Sequence, residues 1–190
     1  MMICILGLHG SSGRPSLIEP FIEELAPAWP RYCPQGTIAD GDGFTFFKRR
    51  ADFSIPPAAL VCLARQSLMT NGSIGSWGAK NFLAVGYSSG AIFATALLSV
   101  SPHLFAGAIL LRPQPISDNF EFPDLAAKPV LILSGQHDER RKPHHAIVLA
   151  EQLRKAQAKV THHDLEAGHA WAGADLTLSR AWLAGLRASN

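Results

Sequence analysis

Short apolar runs alternate with amphipathic stretches along the whole chain. Six runs have the length and composition of strands: Met2 to Leu8, Arg31 to Pro34, Asn81 to Tyr87, Gly107 to Leu111, Val130 to Ser134 and Val160 to Leu165. Several are apolar throughout rather than alternating, as strands covered on both faces must be. From Pro143 to Gln157, Ala146, Leu149, Ala150, Leu153 and Ala156 recur at three- and four-residue spacing, which is one face of a helix. Leu60, Val61, Ala64 and Leu68 repeat that pattern, and Asn71-Gly72 reads as its stop. Ala91 to Leu98 is apolar all round and predicts a buried helix. Regular alternation of strand and helix predicts an α/β fold, a mostly parallel sheet of about six strands with helices on both faces. One domain over residues 1–190 is expected. The stretch from Gln35 to Pro57 has no clean period, and Gly, Asp and Pro punctuate it; it reads as a long irregular loop of the kind that serves a function.

Composition narrows the class. Hydrophobic residues are 47% and charged residues 17%, which excludes a disordered chain. Seventeen basic and fifteen acidic residues give a net charge of +2, too balanced for a nucleic-acid binder that must release phosphate counterions. No apolar run reaches the 18 or so residues of a membrane span. The N-terminus MMICILGLHG lacks a cationic leader, so a strand is expected there rather than a signal peptide. Cys4, Cys33 and Cys62 are odd in number and share no CxxC spacing, and read as buried, reduced thiols of a cytoplasmic protein.

The chemistry is concentrated at the ends of the strand candidates. Gly86-Tyr87-Ser88-Ser89-Gly90 follows an apolar strand and opens an apolar helix, the setting in which a serine sits exposed on a sharp turn. Side chains at Gly86 and Gly90 would collide with the neighbouring helix and strand. A serine hydroxyl needs a base, and the base needs an orienting group. Asp138, just past the buried strand that ends in Ser134-Gly135, is the expected acid, with Glu139 its rival. His169, between the last strand and the last helix, is the expected base. His162 and His163 lie within a strand on opposite faces, His144 and His145 open a helix, and His137 abuts the acid. No HExxH or two-His-one-carboxylate spacing is present, so no metal is expected. Acyl transfer also needs oxyanion donors, worth ~3–4 kcal/mol each. The backbone N–H of Ser89 and that of Ser11, in the Gly-rich loop Leu8 to Gly13, are the candidates, while His9 in that loop reads as structural. Phe44, Phe46, Phe47 and Phe53 place four of ten phenylalanines within ten residues of the irregular segment, and Phe46 and Phe47 are candidates for an apolar roof over the substrate pocket.

LHGSSG, GYSSGA, LILSGQHDE and EAGHAW, in that order, resemble the α/β-hydrolase superfamily, and in particular its compact phospholipase/carboxylesterase branch, similar to acyl-protein thioesterases and dienelactone hydrolases. The resemblance spans nearly the whole chain. It implies Ser88 as nucleophile, Asp138 as acid, His169 as base, and Ser11 and Ser89 as oxyanion donors. Phe46-Phe47-Lys48-Arg49 and Leu111-Arg112-Pro113 resemble a small bacterial subgroup of carboxylesterases. The chain departs from the branch in three places. Ser89 stands where thioesterase-type members carry Gln, and Ser88 where dienelactone-type members carry Cys. Glu139-Arg140-Arg141-Lys142-Pro143 follows the acid where an apolar-Pro pair is usual. The function implied is a cofactor-free serine carboxylesterase acting on small or medium-size esters, as a monomer or homodimer. Acyl-thioester hydrolysis and a ligand-binding module with little turnover are the alternatives. The basic clusters 48–50 and 140–142 are expected to be solvated.

Overall fold

The computed structural model describes residues 3–52, 54–69 and 81–188. Phe53 and the expected helix stop at Asn71-Gly72 lie outside them. Six strands form one parallel sheet: β1 (Cys4–Leu8), β2 (Arg31–Tyr32), β5 (Phe82–Tyr87), β6 (Phe105–Leu111), β7 (Pro129–Gly135) and β8 (Lys159–Leu165), in the order β2-β1-β5-β6-β7-β8. All six sequence candidates are strands, with ends shifted by a residue or two. Residues alternate between two cores, as the pleat demands. Cys4, Leu6 and Leu8 of β1 point into one cluster and Ile5 into the other.

The first cluster is closed by α2 (Pro57–Met69), α3 (Ser89–Val100) and α4 (His145–Lys155). Ala91 to Leu98 of α3 are all buried, and Ala146, Leu149, Ala150, Leu153 and Ala156 all face inward. The second cluster is closed by α1 (Glu19–Leu25), through Ile22 and Leu25, and by α5 (Gly173–Ala188), through Leu183. This is the α/β-hydrolase arrangement. The order in which strands are added reverses between β1, from which the chain moves outward to β2, and β5, from which it moves to the other edge through β6, β7 and β8. At such a switch point the loops after two adjacent strands diverge and leave a crevice at the carboxyl ends.

Two expectations need correction. The segment from Gln35 to Pro57 is not wholly irregular: β3 (Ile38–Asp40) and β4 (Gly43–Thr45) pair antiparallel about a Gly41-Asp42 turn, with Gly41 at φ 57°. Nor are the three cysteines all buried, since Cys62 is exposed on α2 and Cys33 half-buried; all three are free thiols. Cys62 occupies the solvent side of a helix whose inward positions are Leu60 and Ala64. Among the described residues no helix is long and apolar enough to cross a membrane.

Candidate active site

Ser88 follows β5 and precedes α3 with φ 55° and ψ −114°, a strained backbone that a non-glycine residue keeps only when its surroundings impose it. They do so on three sides. The Ser88 N–H donates to Leu111 O at the end of β6 (2.9 Å). A Cβ on Gly86 would fall 2.6 Å from the backbone of Ala91, and one on Gly90 would overlap the carbonyl of Leu8. The turn is therefore wedged between its own helix and β1, and the hydroxyl projects into the crevice.

His169 meets it there. Its Nε2 lies 2.9 Å from Ser88 Oγ, while Nδ1 lies 2.9 and 2.8 Å from the two carboxylate oxygens of Asp138. A carboxylate can only accept, so Nδ1 carries the hydrogen and Nε2 is left as the acceptor for the serine proton. Asp138 is 8% exposed and also accepts the Arg140 N–H (2.9 Å), whereas Glu139 is exposed. Burial pushes the His169 pKa below its usual value; the Asp138 hydrogen bond opposes that, and the charge of Arg141 adds to it.

The loop carrying His169 is clamped by residues to which the sequence assigned no role. Arg112, just past the end of β6 with φ 51°, is fully buried. Its guanidinium forms a two-pronged ion pair with Asp175 of α5 (2.8 and 3.0 Å) and donates to Gly168 O (2.8 Å) and Ala170 O (3.2 Å). Tyr87 Oη donates to the carbonyl between them, His169 O (2.8 Å). Three consecutive carbonyls are thus fixed, and with them the imidazole. The signal was present in the sequence, as a lone arginine ending an otherwise apolar strand. Tyr87 also stacks on Trp171 at 4.5 Å between centroids.

Ser11 lies on the crevice wall, in the loop after β1, and no hydrogen bond within the described protein claims its N–H. The Ser89 N–H is the first of α3 and so one of those a helix leaves unpaired. His9 is buried and spans the loop, its Nδ1 on Gly10 O (2.7 Å) and its Nε2 accepting the Gly36 N–H (3.0 Å). The β3–β4 hairpin braces the same loop: Asp40 accepts from Ser12 N–H (2.8 Å) and Ser12 Oγ (3.0 Å), and Gly13 bridges to Phe44.

The structure places neither Phe46 nor Phe47 on the crevice. They are 6% and 3% exposed, and Phe46 stacks on Phe93 of α3 at 4.9 Å. A ring roofing substrate would face solvent, and these two anchor the segment to the core instead. His163 and His144 are exposed; His162 is half-buried, with Nε2 2.8 Å from Ser134 Oγ. His145 Nδ1 accepts the Lys142 N–H.

The basic clusters are not uniformly solvated either. Lys48, Arg50, Arg140 and Lys142 are exposed, but the middle residue of the first cluster and Arg141 of the second turn inward. Arg141 Nη2 donates to Ser88 Oγ (2.9 Å) and its Nε to Arg112 O (2.8 Å). A cavity of about 530 Å³ opens over Ser88, lined by Ser11, Arg49, Arg140, Arg141 and His169. Among the described residues no three His, Cys, Asp or Glu side chains converge so as to hold a metal ion.

The model of the dienelactone hydrolase family matches residues 62–180. The chain belongs to that family. The match runs from α2 into α5 and includes Ser88, Asp138 and His169. Over 181 residues this dienelactone hydrolase family member is 25% identical to the putative hydrolase MhqD of Bacillus subtilis (strain 168), covering 94% of this chain and 90% of that one. A carboxylesterase structure from Mesorhizobium loti superposes with a TM-score of 0.86 at 28% identity, covering 96% of this chain and 88% of that chain. The Bacillus cereus carboxylesterase superposes at 0.88 and 24% identity, covering 97% and 88%, and shares the fold.

Proposed function

We propose that the protein is a serine hydrolase of carboxylic esters, with Ser88 as nucleophile, His169 as general base and Asp138 as the group that orients and stabilises the imidazolium. The observation that carries this reading is the continuous relay Ser88 Oγ–His169 Nε2 (2.9 Å) and His169 Nδ1–Asp138 Oδ2 (2.8 Å) on a strained turn. Ser88 Oγ attacks the ester carbonyl as its proton passes to His169 Nε2. The backbone N–H groups of Ser11 and Ser89 receive the oxyanion, where fixed donors are worth most. Collapse expels the alkoxide, which takes the proton from Nε2 and leaves as alcohol. Water then gives a proton to the same nitrogen, attacks the acyl carbon and releases the acid, and Ser88 recovers its hydrogen. The Mesorhizobium loti neighbour, a carboxylesterase by name, supports the same reaction class.

A panel of 4-nitrophenyl esters and acyl-thioesters of increasing chain length, run on wild type and Ser88→Ala, tests it. Ester turnover should fall at least ~10³-fold in kcat in the variant. A fluorophosphonate should give one adduct, on the peptide containing Ser88. Full activity in Ser88→Ala, or labelling elsewhere, would refute the assignment. Thioester turnover exceeding ester turnover would move the substrate class but not the mechanism.

A further inference from the structure

Resting on that reading, we infer that Asp40 is a positioning residue for the reaction: from the end of β3 it holds the loop after β1 so that the Ser11 N–H stays aimed at the oxyanion. The first support is the peptide that carries this donor. Gly10 O accepts the Gly13 N–H (3.2 Å) and lies 2.7 Å from His9 Nδ1. The Gly36 N–H donates to His9 Nε2 (3.0 Å), so the ring hydrogen is on Nδ1, which donates to Gly10 O. Gly10–Ser11 is a trans peptide, and a trans peptide points its C=O and N–H to opposite sides. Two donors holding Gly10 O therefore turn the Ser11 N–H away from the loop's own bonds. Gly10 and Ser11 both line the cavity over Ser88.

The second support is the strained residue that follows. Ser12 stands at φ 53°, in the left-handed region that residues with a side chain seldom occupy. Gly13 beyond it is anchored, with its N–H and C=O both paired to Phe44 (3.1 and 2.9 Å). Relaxation of Ser12 to an ordinary φ would therefore swing the Ser11–Ser12 peptide and carry Ser11 with it. Asp40 Oδ2 opposes that swing. It accepts the Ser12 N–H (2.8 Å), which belongs to the Ser11–Ser12 peptide, and also Ser12 Oγ (3.0 Å). Both bonds end on an ionised oxygen, the stronger class of hydrogen bond.

The third support is the scaffold that delivers the carboxylate. Asp40 pairs with Gly43 across the hairpin, and Ala39 with Phe44. A Cβ on Gly43 would overlap Ser12 O, so the hairpin lies directly against the backbone of the oxyanion loop. Arg14 grips it from the other side, donating to Asp42 O and standing 5.2 Å from the centroid of the Phe44 ring. None of these contacts uses the Asp40 side chain. Its removal leaves the hairpin docked and frees Ser12 alone. The segment that carries the phenylalanines thus serves the reaction at one remove, through the loop it holds.

The test measures turnover of 4-nitrophenyl acetate and the affinity of an alkyl trifluoromethyl ketone in wild type, Asp40→Ala, Asp40→Asn and Asp40→Ala/Ser12→Gly. Ser88 Oγ adds reversibly to the ketone carbon, its proton passes to His169, and the carbonyl oxygen becomes an alkoxide where the oxyanion would sit. Rates are expressed per site labelled by a fluorophosphonate, so loss of folded protein cancels. Asp40→Ala should lower kcat at least ~10-fold with KM within about twofold, because misplacing a donor costs less than the ~10²–10³ of deleting it. It should weaken the ketone by a similar factor. Asp40→Asn, whose amide oxygen still accepts both bonds, should keep most of the activity. Ser12→Gly should restore part of the loss in the double variant, since glycine holds a positive φ without strain.

A merely structural role would lower Tm and leave the per-site kcat and the ketone affinity alone. Values of both within about twofold of wild type in Asp40→Ala overturn the proposal and leave ester hydrolysis standing. Equal losses in Asp40→Asn and Asp40→Ala overturn it too, since the charge and not the held bonds would then be the cause. If Asp40→Ala does not fold, Ser12→Val carries the test. A β-branched residue tolerates a positive φ poorly and the hairpin carboxylate is untouched, so the same loss of kcat at unchanged KM is expected. Wild-type kcat in Ser12→Val overturns the proposal. A wild type that neither hydrolyses esters nor binds the ketone refutes hydrolysis and the positioning role together.

Discussion

The ion pair beneath the His169 loop should be among the most costly points to disturb. Arg112→Met removes the partner of Asp175, a carboxylate only 1% exposed that would keep a single remaining side-chain hydrogen bond, from Ala172 N–H (2.8 Å). It also strips the side-chain donor from Gly168 O and Ala170 O. Breaking a buried pair by deleting one member costs about 3–5 kcal/mol, because the other charge is stranded. For a chain of 190 residues each kcal/mol is worth roughly 2–4 °C, so Tm should fall by about 6–20 °C. Most of that cost comes from the stranded charge and little from the lost volume. The Arg112→Met/Asp175→Leu double variant should therefore be at least ~2 kcal/mol more stable than the sum of the two single losses predicts. Urea unfolding of all four proteins, followed by tryptophan fluorescence, measures that coupling. Activity assayed well below each Tm should show Arg112→Met losing kcat with little change in KM, because the imidazole and not the binding surface is misplaced. Additivity of the single variants within ~0.5 kcal/mol would refute the ion-pair account. Unchanged kcat would refute the positioning role.

Because only neutral imidazole accepts the serine proton, and burial lowers the His169 pKa, the acid limb of kcat/KM should fall below pH 6.5; Arg141→Met should shift it upward by removing one of the depressing charges. His145 is pushed down to about 4 by burial, and His9 is lowered for the same reason. Both take up protons on unfolding, so their contribution is whole above about pH 6.5 and is lost at lower pH, that of His145 as the pH falls towards 4. Urea midpoints at pH 7.5 and 5 should converge in His145→Gln. Phe46→Ala should cost about 3–5 kcal/mol of stability and affect acetyl and octanoyl esters alike; a loss confined to octanoyl esters at unchanged Tm would restore the roof.

Strands, helix faces and the Ser88–Asp138–His169 constellation were legible in the sequence because each rests on a local signal. Continuous apolar runs mark β5, β6 and β7, a three-four spacing marks α4, and the three side chains stand at strand ends in fixed chain order. What escaped depends on contacts distant in sequence or on one turn's geometry. Arg112 finds Asp175 sixty-three residues later. Arg141 faces Ser88 while its neighbours Arg140 and Lys142 are exposed, and nothing in a run of three cations tells which one the turn after Asp138 directs inward. The hairpin did leave a trace, since Gly41-Asp42 is a hairpin-turn dipeptide, but strands of three residues are too short to show alternation. The phenylalanine cluster misled because hydrophobicity reports a need for burial without saying which surface supplies it.

The arginines also change the energetics of the proposed reaction. Attack by Ser88 creates an oxyanion and an imidazolium together. Positive charge beside the site favours the first and opposes the second: burial lowers the His169 pKa, and the charges of Arg141 and Arg140 add to that lowering. Removing the Arg141 charge would relieve that opposition close to the imidazole, where low local dielectric makes it count most. His169 would then be a stronger base in Arg141→Met than in the wild type, and the acid limb of kcat/KM would move upward with it.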